Sequence, residues 1–325
     1  MSAVGVAETH PTFGHRGMAP GAQPPTGDPL HGAAFETIWD QTLKPDLTRL
    51  EETRQRAVMV LVIVLLAAGL LAWSEFLFMP PALARPWRIE GPFLTILLGA
   101  LLGAAPLTWT VRRAKGDVLA ALCAPLGVSY APRGSAPAAS PTFLSLNLLP
   151  HPSDSRFLDF LSGQRNSVGF SLCQARLWQG SGKSRTLAFS GQILMLHTGR
   201  ALRATTAVLR HGFLTSFSCP KGLSPVGLED PRFSNVFVAF GSDQVEAREI
   251  LTPAFMQRLL DLEAAYAGEK LRCAFVGPDV LIALQDGDCF KFGSALASFV
   301  DRTRAQAIAG DLERIFDLVD SFAGR

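Results

Sequence analysis

Two apolar runs, Ala57 to Phe78 and Phe93 to Val111, lie close together in a chain of 325 residues and decide what its first third can become. The first holds Glu75 as its only charged residue and the second holds none. A helix of about 20 apolar residues crosses a hydrocarbon core of roughly 30 Å, and each Leu, Ile or Val favours insertion by about 0.3–0.6 kcal/mol. Core helices of soluble proteins have shorter apolar runs and a polar face. The pair therefore predicts a two-helix transmembrane hairpin, 57–78 and 93–111. Glu75 falls near the end of its run, beside Trp73 and before Met79-Pro80-Pro81, at interface depth. Gly99 and Gly103 form a small-xxx-small pair that lets another helix backbone approach closely, either the other helix of the same chain or a second copy.

Flanking charge sets the orientation. Lys44, Arg49, Arg54 and Arg56 precede the first run and Arg112, Arg113 and Lys115 follow the second, against Arg85 and Arg88 in the short connection. The positive-inside rule then places both termini in the cytoplasm and makes the chain a multi-pass protein of the inner (plasma) membrane. Residues 1–33 are rich in Pro and Gly and lack a hydrophobic signal-peptide core, so a disordered tail is expected, with the first helix as signal anchor. Its His10, His15 and His31 are too irregularly spaced for a metal site. Within the juxtamembrane segment 34–56, Phe35, Ile38, Trp39 and Leu43 recur at helical spacing until Pro45, which suits the first turn of a second helical piece. The first piece is expected either on the bilayer surface or against the soluble domain.

Residues 112–155 read as a linker with a short helix, rich in Pro, Ala and Ser from Ala131 to Pro152. Residues 156–325 read as a cytoplasmic α+β domain long enough for its own core. Strands are expected at Ser167 to Trp178 and Thr186 to His197, joined by a Gly-rich loop, then at Ala204 to Leu214 and Val226 to Phe240. Asp243 with Glu246 three residues on signals a helix to Ile250, and Thr252-Pro253 signals another. Leu271 to Val276, Val280 to Leu284 and Cys289 to Phe292 read as strands, the last two joined through Asp286-Gly287. A final helix from Ala295 to Phe322 aligns Ile308, Leu312, Ile315 and Val319. The expected fold is thus α+β: a two-helix transmembrane hairpin followed by a mainly antiparallel sheet with packed helices.

Motifs for chemistry are weak. Gly180-Ser181-Gly182-Lys183-Ser184 resembles a phosphate-binding loop, but Leu177 stands where the first glycine belongs and a strand, not a helix, should follow. Glu229-Asp230 and Asp286/Asp288 are paired carboxylates in turns, where acidic residues are common. Cys123, Cys173, Cys219, Cys273 and Cys289 are odd in number and without CxxC, which fits buried thiols in a reducing compartment. His197 and His211 do not complete a zinc set, and no cofactor is expected.

Charge is segregated along the domain: Arg156 to Lys221 carries nine basic residues and one acid, Glu229 to the end ten basic and sixteen acidic. Either the two halves pair within the fold, or the basic half, with Lys183, Arg185, Arg112, Arg113 and Lys115, rests on anionic headgroups at roughly 1 kcal/mol per close charge. No nucleic-acid recognition motif accompanies the basic residues.

Leu228, Glu229, Asp230, Phe233 and Phe237, followed by Glu246, Ala247, Arg248, Leu251, Thr252, Pro253 and Met256, resemble a bacterial family of uncharacterised membrane proteins. Residues 189–196 and 273–284 are similar to that family's Phe-x-Gly strand and late hairpin. The resemblance implies two N-terminal transmembrane helices and a cytoplasmic domain, and brings no active site. The leading expectation is a membrane-anchored interaction or scaffold module, partnered by the bilayer and by a membrane or cytoplasmic protein, with a homo-oligomer left open. The alternatives are an enzyme on a membrane-proximal substrate using Glu229, Asp230 or His197, or an anionic-lipid-binding module.

Overall fold

The computed structural model describes residue 30 and residues 32–78, 87–199, 202–211, 219–266, 271–285, 287 and 289–323. Most of the 1–33 tail, the connection around Arg85, and Asp286 and Asp288 lie outside the described residues. Helix α1 (Gly32–Ile38) runs through a π-helical turn (Trp39–Leu43) into α2 (Lys44–Phe78). Pro45 has no N–H, and its ring crowds the carbonyl four residues earlier. The wider π turn takes up that misfit, so the expected interruption becomes one continuous helix of 47 residues. Phe35, Trp39, Leu43 and Leu47 are buried in the core of the domain, which settles where the first helical piece lies.

Helix α3 (Trp87–Cys123) packs antiparallel to α2. An ideal Cβ on Gly99 would stand 2.6 Å from the Ala68 Cβ, and one on Gly103 2.9 Å from Leu61 Cδ1, so both glycines serve contact between the two helices of one chain. Both helices are long and apolar enough to cross a membrane. After α3 a 3₁₀ turn (Ala124–Leu126) closes at Gly127, whose φ of +67° suits glycine, and the Val128 N–H donates to the Cys123 carbonyl at 3.1 Å. The chain then turns back so that the Tyr130 ring lies near Gly116.

Nine strands form one antiparallel sheet among the described residues: β1 (Ser129–Arg133), β2 (Asp154–Arg165), β3 (Val168–Gln179), β4 (Thr186–His197), β5 (Thr206–Arg210), β6 (Ser224–Pro225), β7 (Phe237–Gly241), β8 (Arg272–Val276) and β9 (Asp279–Leu284). Their order is β1-β2-β3-β4-β9-β8-β5-β7-β6. One face carries Phe170, Leu172, Leu194, Leu196, Ile282 and Leu284 against the helices, including the domain ends of α2 and α3. The other carries Cys173, Ala175, Leu177, Ile193, Leu281 and Ala283 under Phe143, Leu146, Leu148 and Leu149, at and after α4 (Ser140–Ser145). Burial on both faces explains why these strands read as nearly unbroken apolar runs.

The segment expected as a linker holds the end of α3, strand β1 and α4. β1 is a short edge strand that tolerates Pro132, and β2 is interrupted by a bulge between Leu158 and Leu161 that breaks its alternation. Three further expectations are corrected. Pro231 to Val236 forms helix α5, not strand, because Asp230 caps it and Pro231 opens it. Cys289 to Phe292 is irregular: β9 is already paired on both edges, by β4 and β8, so no position remains beside it. Helix α8 (Arg302–Ala323) starts after Asp301, whose carboxylate accepts the Thr303 N–H at 2.9 Å, leaving 293–301 as a loop. Helices α6 (Gln244–Ile250) and α7 (Pro253–Ala265) start at their expected caps, Asp243 and Thr252.

Candidate functional site

Two polar nodes hold the helical hairpin to the domain. On α2, Glu51 and Arg54 stand one turn apart with side chains only 14% and 11% exposed. Arg54 donates from Nε to Glu51 Oε2 at 2.9 Å, bonds the other carboxylate oxygen as well, and donates to the Leu296 carbonyl at 2.9 Å. Glu51 Oε2 also accepts the Phe299 N–H at 2.8 Å. The Arg54 hydrogen bond, above all, holds the Glu51 carboxyl down to about 2.

On α3, Lys115 donates to Asp159 Oδ2 at 2.6 Å, and the Tyr130 hydroxyl donates to Oδ1 at 2.9 Å. Asp159 is buried and sits in the β2 bulge at φ +50°, a left-handed conformation that Asp tolerates better than most residues. The bulge turns its carboxylate toward α3. Burial first, then the neighbouring Asp159 charge, raise the Tyr130 phenol above its ordinary range.

The basic residues singled out from sequence divide into two groups. Arg112 and Arg113 are exposed at the base of α3, with Arg113 over the Trp109 ring at 5.5 Å, whereas Lys115 is taken up by Asp159. At the tip of the β3–β4 hairpin, Lys183 is exposed, while Arg185 pairs with Asp154 and lies 4.6 Å from the Trp178 ring centre.

Asp230 Oδ1 accepts the Arg232 N–H at 2.8 Å and the Phe233 N–H at 3.4 Å as the cap of α5, with Glu229 exposed beside it. His197 Nδ1 lies 2.8 Å from Asp279 Oδ1 across β4 and β9, its side chain 62% exposed. Between β4 and β7, the strand that α5 enters, stand β9, β8 and β5, a separation of about 19 Å at ordinary strand spacing. The structure does not bring His197 together with Glu229 and Asp230.

A cavity of ≈ 610 Å³ opens between residues 202–204 and 242–250. Two of its three acids are occupied: Glu246 accepts the Arg203 and Ala204 N–H groups at 2.9 and 3.1 Å, and Asp243 caps α6, while Glu249 is exposed. Glu246 therefore reaches across to another loop instead of closing the capping box that its spacing suggests. Deeper in the domain, Arg272 is 1% exposed and donates to the Leu148 carbonyl at 2.6 Å and to Gln285 Oε1 at 2.8 Å. Burial brings its pKa down to about 10. Glu263 pairs with Arg210 and accepts the Leu271 N–H at 3.0 Å. These buried groups join strands to loops and helices.

Among the described residues no three His, Cys, Asp or Glu side chains come together as metal ligands. Burial pushes the Cys123 and Cys173 thiols up to about 12, which leaves them protonated and unreactive. Sequence reasoning missed the Glu51–Arg54 and Lys115–Asp159–Tyr130 nodes. The three-residue spacing of Glu51 and Arg54 on one helix face was a usable signal; the pairing of Lys115 with Asp159 had none.

No curated protein matches the chain. Among solved structures, the crystal structure of the mycobacterial trehalose monomycolate transport factor A, TtfA, is similar at 9% identity and a TM-score of 0.30, covering 65% of this chain and 95% of that one. That likeness is too distant to establish a shared fold or function. A family described as protein of unknown function (DUF3137) matches residues 187–323, from β4 through α8, consistent with an uncharacterised family.

Proposed function

We propose that this chain is a membrane-anchored protein whose α+β domain acts as an interaction or scaffold surface on the cytoplasmic face of the inner membrane. One observation carries the reading. Of the twenty-three large apolar side chains that are exposed among the described residues, twenty lie between Met59 and Trp109 on the helical hairpin, and three are scattered over the domain. Apolar surface of that extent on a two-helix projection is unstable in water and suited to lipid.

Two details support it. The packing of Gly103 on Leu61 and Gly99 on Ala68 sets Trp109 level with Arg56, about 26 Å along the helix from Trp73 at 1.5 Å per residue. Both tryptophans are exposed, the spacing expected of two interfacial belts. Arg56, Arg112 and Arg113 remain exposed at the domain end, the charge bias of a cytoplasmic flank. The scaffold part of the reading rests on candidate groups that stand apart, with Asp230 engaged as a helix cap and His197 paired with Asp279.

Alkaline carbonate washing of native membranes, followed by purification of the tagged chain in mild detergent, tests both parts. The reading expects the chain to resist extraction and to bring a protein partner in near-stoichiometric amount. Release by carbonate contradicts the anchor, and a chain that emerges alone contradicts the scaffold.

A further inference from the structure

We infer that the loop at 293–300 is an interfacial foot: it seats Leu296 in the lipid headgroup layer and fixes the domain against the bilayer beside the helical hairpin. The inference rests on the membrane reading above and adds a second contact to it.

Leu296 is 64% exposed, yet the loop that presents it is firmly built. Phe292 and Phe299 are buried at its two ends, with ring centres 5.4 Å apart in an edge-to-face contact. Two arginines hold its backbone from inside, Arg54 donating to the Leu296 carbonyl at 2.9 Å and Arg304 to the Ser294 carbonyl at 3.0 Å. Gly293, at φ +85°, passes close to the Arg304 guanidinium, where an ideal Cβ would meet it at 3.5 Å. The Ser294 and Ser298 hydroxyls accept N–H groups two residues on, from Leu296 and Val300, at 3.2 Å each. Fixing a loop by so many bonds while leaving its one large apolar side chain outward needs a reason, and water supplies none.

Position supplies it. Arg54 precedes Ala57, the first residue of the apolar run, by three residues, about 4.5 Å of helix rise. The headgroup layer on each side of the hydrocarbon is about 5–8 Å thick, so the part of the loop at Leu296, bonded to Arg54, falls within it. From Phe292 to Val300 the sequence FGSALASFV carries no charge, so nothing in the loop opposes entry. The exposed cations Arg56, Arg112 and Arg113 lie within about one turn of the same height, which makes an anionic lipid surface the complementary occupant. Val245, also exposed on the domain, differs: it stands with Asp243, Glu246 and Glu249, and that acidic rim repels such a surface.

The test uses the full-length chain with Cys219→Ser, the remaining native thiols being buried. Single cysteines at Leu296→Cys, Met59→Cys and Val245→Cys are labelled with an environment-sensitive fluorophore. Each protein is reconstituted into vesicles of phosphatidylethanolamine and phosphatidylglycerol, with or without lipid carrying a nitroxide at the glycerol level. The foot expects about twofold quenching at 296 together with a blue-shifted emission, as at 59, and no quenching at 245. Quenching at 59 without quenching at 296 overturns the foot and leaves the membrane reading intact. Absence of quenching at both overturns the two together.

Discussion

Glu51 and Arg54 form the residue-scale link between the hairpin and the domain, because one carboxylate serves both a guanidinium and the backbone of a distant loop. The Glu51 carboxyl is held at about 2 against an ordinary 4.5. A depressed carboxyl contributes stability fully above its unfolded value and loses it as pH falls through the folded one. Glu51→Gln is therefore expected to lower stability by about 2–3 kcal/mol at neutral pH. In thermal melts the gap between variant and parent should close as pH falls from 4.5 toward 2, whereas a pH-independent gap would contradict the pairing. Asp159→Asn keeps a residue suited to φ +50° but removes the charge that faces Lys115. It should cost about 2–3 kcal/mol, part of which Lys115→Met restores by removing the stranded ammonium. Additive losses in that cycle would show that the two groups are uncoupled. Little of this was legible in the sequence: the Glu51–Arg54 spacing is a local signal, but Arg54 and Lys115 look like any basic flank, and Asp159, Leu296 and Phe299 lie in segments whose pairing depends on tertiary structure.

Elements were more legible where local signals are strong. Thr252-Pro253 and Asp243 mark α7 and α6 correctly because cap and first-turn chemistry act within four residues. The same signal at Asp230-Pro231 competes with the apolar run around it, whose pattern alone predicts a strand where α5 forms. Truncating that cap with Asp230→Ala is expected to cost about 1 kcal/mol by thermal melt and to leave the rest of the fold intact. A loss above several kcal/mol would assign Asp230 more than a cap. The strand expected at Cys289 failed for a different reason, since nothing local reveals that both edges of β9 are already occupied. Gly99 and Gly103 left two partners open, and the packing against Ala68 and Leu61 lies within one chain. Gly99→Ile should therefore destabilise the hairpin by about 1–3 kcal/mol in detergent, with partial recovery on adding Ala68→Gly. Unchanged stability with loss of an oligomer would point to a second copy instead.

At the scale of the whole molecule, the hairpin and the domain share one core. Leu43 and Leu47 before the first apolar run, and Ala114, Val118, Leu119 and Leu122 after the second, are buried together with residues of the sheet. The helices therefore emerge from the domain as a fixed bracket, and the two nodes and the loop at 293–300 sit where the bracket leaves it. The apolar runs were plain in the sequence because they are long and nearly free of charge; the bracket was not, because its buried faces are short and interrupted by charge. Labelling of single cysteines by a membrane-impermeant maleimide in intact cells, in the Cys219→Ser background, tests this arrangement most directly. A cysteine in the connection between α2 and α3 should react from outside, and Val245→Cys only after the membrane is permeabilised. Equal labelling of both positions in intact cells, or labelling of position 245 alone, would contradict a hairpin that spans the membrane with the domain on its inner face.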